Sequence, residues 1–419
     1  MSIRIAGAGC CLMDILYPKA DFSSAAFSAV RSRREGDGGL SPGHLVFAED
    51  AERFTGRPFG DTLAALAESA TLAASATLAG ADPEAGFWPA AKNIGGPSVV
   101  ALIHAAQMLE GEGIPVAFHG TTGDDETGRE LRDRLIRTPL DASRLEERPG
   151  HTPSTFVLSD PTWDGGRGER CFVNDIGAAA GYLPADLGED FFEADIIALG
   201  GTGLVPGLHD GLPGILAEAR SRGALTVVNT VFDFRAERRD GIGAWPLGGR
   251  AKGPGPKESY RCCDLLVMDR DEALRLSGER DLKAALGFFE SSGVGAFAVT
   301  RGGESVLAWA GRGRFAPMAL REFPVSVRAS RERLGPRESS GDTTGCGDAF
   351  AGGVIAAGAL RLKAGEGDLD LADAVSWGIA AGAFTLGFLG GTYYESRPGE
   401  KRERVSSYRE DWLAQVGGR

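Results

Sequence analysis

From residue 195 onward the sequence alternates short apolar runs with longer stretches of helical periodicity, and this alternation restricts the fold more than any other feature. Residues 196–199, 224–228, 265–268 and 296–300 read as strands, and 208–222 reads as a helix between the first two. A strand that returns parallel to its predecessor needs a crossover of a dozen or more residues. Strands separated by helices therefore imply a parallel sheet covered on both faces. Residues 3–9 form another apolar run ending in glycines, the pattern of a buried strand that stops at a site. The expected class is α/β.

The stretch Gly341-Asp342-Thr343-Thr344-Gly345-Cys346-Gly347-Asp348-Ala349-Phe350 leads into an Ala- and Gly-rich run, 349–360, that reads as a buried helix. Two glycines flank one small residue at its start. Glycine lets the backbone turn and approach a ligand without a Cβ clash. The first N–H groups of a helix lack internal partners, and the macrodipole makes that end electropositive. Residues Gly345 to Asp348 can thus form an anion cradle with a carboxylate inside it, the arrangement of a general base held beside developing negative charge. From spacing alone, a helix cap with packing glycines accounts for the same residues.

The remaining composition narrows the function. The chain has 419 residues, which suits one large α/β domain with insertions. Its formal net charge of −13 argues against nucleic acid or an anionic membrane as partner. The six cysteines include two adjacent pairs and no Cys-x-x-Cys, which speaks for reduced thiols rather than a disulfide framework or zinc. The five histidines show no metal-ligand spacing. No long apolar stretch reads as a signal peptide or membrane span, so a cytoplasmic protein is expected. Gly7-Ala8-Gly9 begins like a dinucleotide fingerprint but lacks the third glycine. Gly253-Pro254-Gly255-Pro256-Lys257 superficially resembles a phosphate loop, yet its prolines remove amides that a phosphate cradle needs.

The run from Asp342 to Phe350 resembles the C-terminal signature of the ribokinase/PfkB carbohydrate kinase family, Asp-Thr-x-Gly-Ala-Gly-Asp-x-Phe, with Cys346 in place of the alanine. The resemblance implies that the backbone of Gly345, Cys346 and Gly347 forms an anion hole. It implies that Asp348 deprotonates the hydroxyl that attacks the γ-phosphate of ATP. Weaker matches follow in the family's order. Asp14, soon after the first strand, takes the place of an acid that grips substrate hydroxyls. Gly95 and Gly96, before a helix expected through Met108, match the paired glycines of the N-terminal signature, while Pro97 and Val100 replace its asparagines. Residues 120–128 match a turn that opens a helix, with Asp124 and Asp125 read mainly as caps. Strands at 152–158 and 170–174 resemble the family's lid hairpin, with Gly168-Glu169-Arg170 matching its Gly-Glu-Arg element and Asn174 placed to reach substrate. Glu272, with Asp269 replacing an asparagine, matches an Asn-x-x-Glu pattern that organises magnesium. Thr300, Gly302 and Gly303 resemble the nucleotide loop, and Thr343 belongs to the same nucleotide-binding set. Asp342 is a metal candidate, and Asp342 and Thr344 are candidates for a potassium site. Residues 229–233 match the family poorly, 328–337 read as a solvated loop, and 18–91 is the least informative segment, with helical spacing over 62–81.

The resemblance implies a ribokinase-like, doubly wound, mostly parallel sheet flanked by helices, in a single domain over 1–419. A small β-lid is expected within 15–60 and 152–176. It implies an ATP- and Mg2+-dependent phosphotransferase acting on a hydroxyl of a sugar or related polyol, with K+ as a further ion. An exposed lid edge would allow a homodimer. A nucleoside kinase of the same fold and a non-catalytic sugar-binding or regulatory protein are the alternatives. The altered Gly-Gly motif permits both, and Asp348 argues against the second.

Overall fold

The computed structural model describes residues 3–34, 36–67, 91–166, 168–230, 256–311, 313–333, 343–365, 367–388 and 390–418. Their contacts divide the chain into two compact units. The larger comprises residues 1–11, 94–149 and 178–419, and the smaller 12–93 and 150–177.

The larger unit is built on a nine-stranded sheet. In chain order its strands are β1 (Ile5–Gly9), β5 (Val116–Gly123), β6 (Asp141–Arg148), β9 (Ile196–Gly200), β10 (Leu225–Asn229), β11 (Leu265–Asp269), β12 (Ala296–Thr300), β13 (Ser305–Ala310) and β14 (Met318–Pro324). Their spatial order is β14-β13-β12-β11-β10-β9-β1-β5-β6. Pairing is parallel from β6 to β12, and only β12–β13 and β13–β14 are antiparallel. The mostly parallel α/β sheet expected from the alternation is present, and its central strands are buried on both faces, as β1 and β9 show.

Helices flank this sheet. The helix Cys346–Ala364 lies between Pro97–Met108 and Leu371–Thr385. Small residues set that spacing: a Cβ on Gly352 would stand 2.5 Å from the Ala101 carbonyl, and one on Gly353 2.7 Å from that of Trp377. The C-terminal helix Glu400–Gly417 buries Val405, Tyr408 and Trp412, and the Trp412 indole donates to the Pro324 carbonyl at 2.7 Å. Nothing in the sequence reading anticipated that helix or the antiparallel edge.

Two further expectations change. Residues 120–123 continue β5 rather than opening a helix, and the helix starts at Glu126, where Asp125 caps it by accepting from Gly128 N at 2.8 Å. The β-branched threonines of that stretch, with Thr121 Oγ1 donating to the Glu146 carbonyl, suit a buried strand end. The stretch expected as a solvated loop after 328 is helical over Val327–Arg333, because Arg328 is held by Glu332 and Asp411, each at 2.8 Å. Residues 334–337 lie outside the described set.

The smaller unit carries a second sheet of β2 (Leu12–Tyr17), β3 (Leu45–Phe47), β4 (Ala91–Gly95), β7 (Ser154–Asp160) and β8 (Glu169–Asp175), in the order β3-β8-β7-β2-β4. The expected hairpin is β7–β8, paired antiparallel. One face of this sheet closes on a core of Phe22, Phe27, Val30, Leu40, Val46, Phe59, Leu158, Cys171 and Val173. The segment 62–67 is helical as its spacing suggested, and 68–81 lies outside the described residues.

Candidate active site

The C-terminal ends of β10, β11 and β12 bring together side chains that are far apart in the chain, as parallel strands do where a site forms. Asn229 ends β10 and Asp269 ends β11, and Asp269 pairs in register with Thr300 at the end of β12. Two consecutive residues, Asn229 and Thr230, then bind two carboxylates from different helices. Asn229 Nδ2 donates to Asp348 Oδ1 at 3.4 Å. Thr230 Oγ1 donates to Glu272 Oε2 at 2.6 Å, while its own amide is fixed on the Val267 carbonyl.

Asp348 sits in the first turn of the helix Cys346–Ala364. Gly345 is the N-cap with φ 76°, a left-handed conformation that disfavours any side chain, and as glycine it has no side chain with which to cap the helix. A Cβ on Gly345 would collide with the Cα of Gly391. Gly391 is held in turn by His104, whose Nε2 donates to the Gly391 carbonyl at 2.8 Å. Gly347 differs: among the described residues a Cβ there would meet nothing within 4 Å. The turn is therefore backed by the Gly391 loop and opens in front of Gly347. Thr343 is exposed, and its carbonyl accepts from Cys346 N at 3.3 Å.

Burial pushes the Asp348 carboxyl up to about 6, and the Asn229 amide opposes that rise. Glu272 is pushed up to about 8, first by burial and then by the charge of Asp269, with Asp348 adding to it. Asp348 thus lies in the range suited to a general base near neutral pH.

Glu272 also has a structural task. Asp269 accepts from Glu272 N at 2.8 Å, and Glu272 accepts from Asp269 N at 2.8 Å, a reciprocal capping box for the helix Arg270–Ser277. Among the described residues no three His, Cys, Asp or Glu side chains are grouped to hold a metal ion. A carboxylate cluster raised first by burial, and at Glu272 then by neighbouring charge, nevertheless favours a nearby cation. It fits magnesium, which is commonly held by one or two carboxylates together with phosphates and water. Asp342 lies outside the described residues.

The other expected residues fall as follows. Thr300, Gly302 and Gly303 form the start of the turn joining β12 to β13, closed by Arg301 N on the Ser305 carbonyl at 2.9 Å. Gly95 ends β4. Gly96 adopts φ 103°, and a Cβ there would stand 2.6 Å from the Cys10 carbonyl, so its conformation and the close approach of the chain after β1 are enough to require glycine. In the smaller unit, Asp14 on β2 and Asn174 on β8 are brought level by β7 between them, since Asp14 pairs with Thr155 and Thr155 with Asn174. Sequence reasoning missed Asn229 and Thr230 as site residues. Their only signal is their place at the end of a buried strand.

The model of the pfkB family carbohydrate kinases matches residues 94–395. The chain belongs to the pfkB carbohydrate kinase family. Several solved structures share its ribokinase-like fold. A probable sugar kinase from Rhizobium etli is 18% identical, with 100% of this chain and 99% of that one covered and a TM-score of 0.63. An adenosine kinase from Sinorhizobium meliloti is 18% identical over 97% and 99%, with a TM-score of 0.64. A putative ribokinase II from E. coli in complex with ATP and Mg2+ is 15% identical over 99% and 100%, with a TM-score of 0.57. No curated protein matches the chain in sequence. No helix among the described residues is long and apolar enough to cross a membrane.

Proposed function

We propose that this pfkB-family protein transfers the γ-phosphoryl group of ATP to a hydroxyl of a sugar or related polyol. The observation that carries the reading is the uncapped, glycine-fronted start of the helix Cys346–Ala364 with the raised carboxyl of Asp348 in its first turn. Asp348 takes the proton from the acceptor hydroxyl, and its Oδ1 is oriented by Asn229. The amides from Gly345 to Gly347 receive negative charge on the transferring group. Magnesium bound with ATP supplies charge neutralisation across the phosphates, and Glu272, steadied by Thr230, is the residue that would help hold it. Thr300, Gly302, Gly303 and Thr343 border the nucleotide, and Asp342 is a further candidate metal ligand. Such catalysis is mainly positioning and electrostatics. Asp14 and Asn174, brought level across β2, β7 and β8, are the candidate acceptor contacts.

A nucleoside acceptor is the second reading, because a similar fold serves adenosine kinases at comparable similarity. ADP release from ATP and magnesium, measured across sugars, polyols and nucleosides with and without potassium, decides between them. Release that depends on the acceptor and vanishes in Asp348→Asn supports the kinase and identifies its acceptor class. Acceptor-dependent release that survives the substitution rules out the assigned base.

A further inference from the structure

The loop that backs the Gly345 turn is held by side chains rather than by a backbone ladder. Gly391, Thr392 and Tyr393 belong to no helix or strand, so their polar groups need partners from elsewhere. His104 Nε2 donates to the Gly391 carbonyl at 2.8 Å. Thr392 Oγ1 donates to the Ile94 carbonyl at 3.3 Å. Gln107 Nε2 donates to the Tyr393 carbonyl at 2.7 Å. His104 and Gln107 lie three residues apart on the helix Pro97–Met108, which puts them on one face.

Both are costly there. That helix is buried from Ser98 to Met108 and is otherwise almost wholly apolar. His104 is fully buried and Gln107 is 1% exposed. A carbonyl only accepts, so His104 carries its proton on Nε2 and leaves Nδ1 bare. Nδ1 has no hydrogen-bond partner among the described residues. The same rule turns the amino end of Gln107 towards Tyr393 and its Oε1 away. Lys401, fully buried at the start of the helix Glu400–Gly417, donates to that Oε1 at 3.0 Å. A buried lysine and an unpaired ring nitrogen reduce stability, and apolar side chains would avoid both. What these three residues secure is the position of the loop. Glycine against glycine passes that position on: a Cβ on Gly345 would come within 2.4 Å of the Gly391 Cα. Two backbones in contact leave no side chain to absorb a shift.

We infer that His104, Gln107 and Lys401 are positioning residues for the turn Gly345–Gly347, acting through the loop 391–393. The inference rests on the proposed kinase reading for its effect on turnover, though not for its geometry. His104 and Gln107 hold the loop on the helix. Lys401 fixes the Gln107 amide in the one orientation that can donate to Tyr393. Flipped, the amide would set oxygen against oxygen.

Two variants of the full chain separate placement from stability. His104→Leu removes the Gly391 donor together with the bare nitrogen. Gln107→Glu keeps the shape and strengthens the link to Lys401, but it sets a carboxylate against the Tyr393 carbonyl. Both should melt close to the wild-type temperature. In both, the amides of residues 343–350 should exchange with deuterium about tenfold faster. The kcat for acceptor-dependent ADP release should fall about tenfold or more, with a smaller change in the KM for ATP. His104→Gln, whose amide nitrogen reaches as far as Nε2, should recover most of the loss. Folded variants that keep wild-type exchange overturn the inference. So does a His104→Gln no better than His104→Leu, or a failure of both His104→Leu and Gln107→Glu to fold, since either result makes these residues structural only. Exchange needs neither ATP nor acceptor, so the two claims fail separately. Faster exchange in the variants of a protein without acceptor-dependent ADP release keeps the positioning and removes the kinase. Release that needs Asp348, with kcat unmoved in both variants, keeps the kinase and removes the positioning.

Discussion

Two helices of the larger unit begin beside one another at the ends of parallel strands, and their starts are finished in opposite ways. The helix Arg270–Ser277 is closed by its own residues: Asp269 and Glu272 exchange hydrogen bonds, and Thr230 adds a third contact. The helix Cys346–Ala364 begins at a glycine, which has no side chain to cap it, and among the described residues it opens in front of Gly347. A closed start stabilises a fold; an uncapped one keeps its positive end available to an anion. The same chemistry, an acid in the first turn, therefore serves structure at Glu272, and under the proposed function it serves a substrate at Asp348.

The strongest way to break this comparison is Asp348→Asn. If Asp348 is the base, turnover falls by roughly 10²–10⁴-fold while the melting temperature stays close to wild type. Near-normal turnover in steady-state assays would make the two helix starts equivalent. Gly347→Ala comes next. The added methyl has free space in the protein itself, and alanine is favoured over glycine in a helix by up to about 1 kcal/mol. Stability should hold or rise, whereas turnover should fall by about tenfold or more as the methyl crowds the anion position. A variant as active as wild type would mean that no phosphate approaches that turn.

Glu272→Gln sharpens the closed side. A carboxyl whose pKa is raised on folding binds more protons folded than unfolded. Its contribution is complete below the ordinary carboxylate range and is lost as pH rises through the folded value. For Glu272, raised from 4.5 to about 8, that window runs from about pH 4.5 to 8. Denaturant melts should show wild type losing stability across that window relative to Glu272→Gln, with a gap on the order of a few kcal/mol by pH 8. A constant gap would show that Glu272 does not titrate there. The smallest effect is expected from Asn229→Ala. Its amide favours the ionised Asp348. Removing it should move the acid limb of the pH–rate profile to higher pH by a fraction of a unit; a shift downward would reverse the assigned role.

Much of this was readable in advance because it is written locally. The strand Ala296–Thr300 and the helix Pro97–Met108 fall at their expected bounds, since apolar periodicity and a proline in the first turn act within a few residues. The glycines around Cys346 also mark the start of the helix Cys346–Ala364 by themselves. The strand at 120–123 was misread because glycine, threonine and acid residues serve turns and buried strand ends alike. The Arg328 helix was misread because its charges looked solvated, whereas Asp411 lies 83 positions away.

By itself the sequence determined the alternation that makes an α/β sheet, the helix that follows Gly345, and the placement of one acid in its first turn. Tertiary structure alone decided that Asn229 meets Asp348, 119 residues on, that Gly391 backs the Gly345 turn, and that Asp14, Thr155 and Asn174 share one row. Backbone propensity and periodicity act over a turn or a strand. Which strand ends meet, and in which register, is fixed only when the whole apolar surface of the sheet is buried at once.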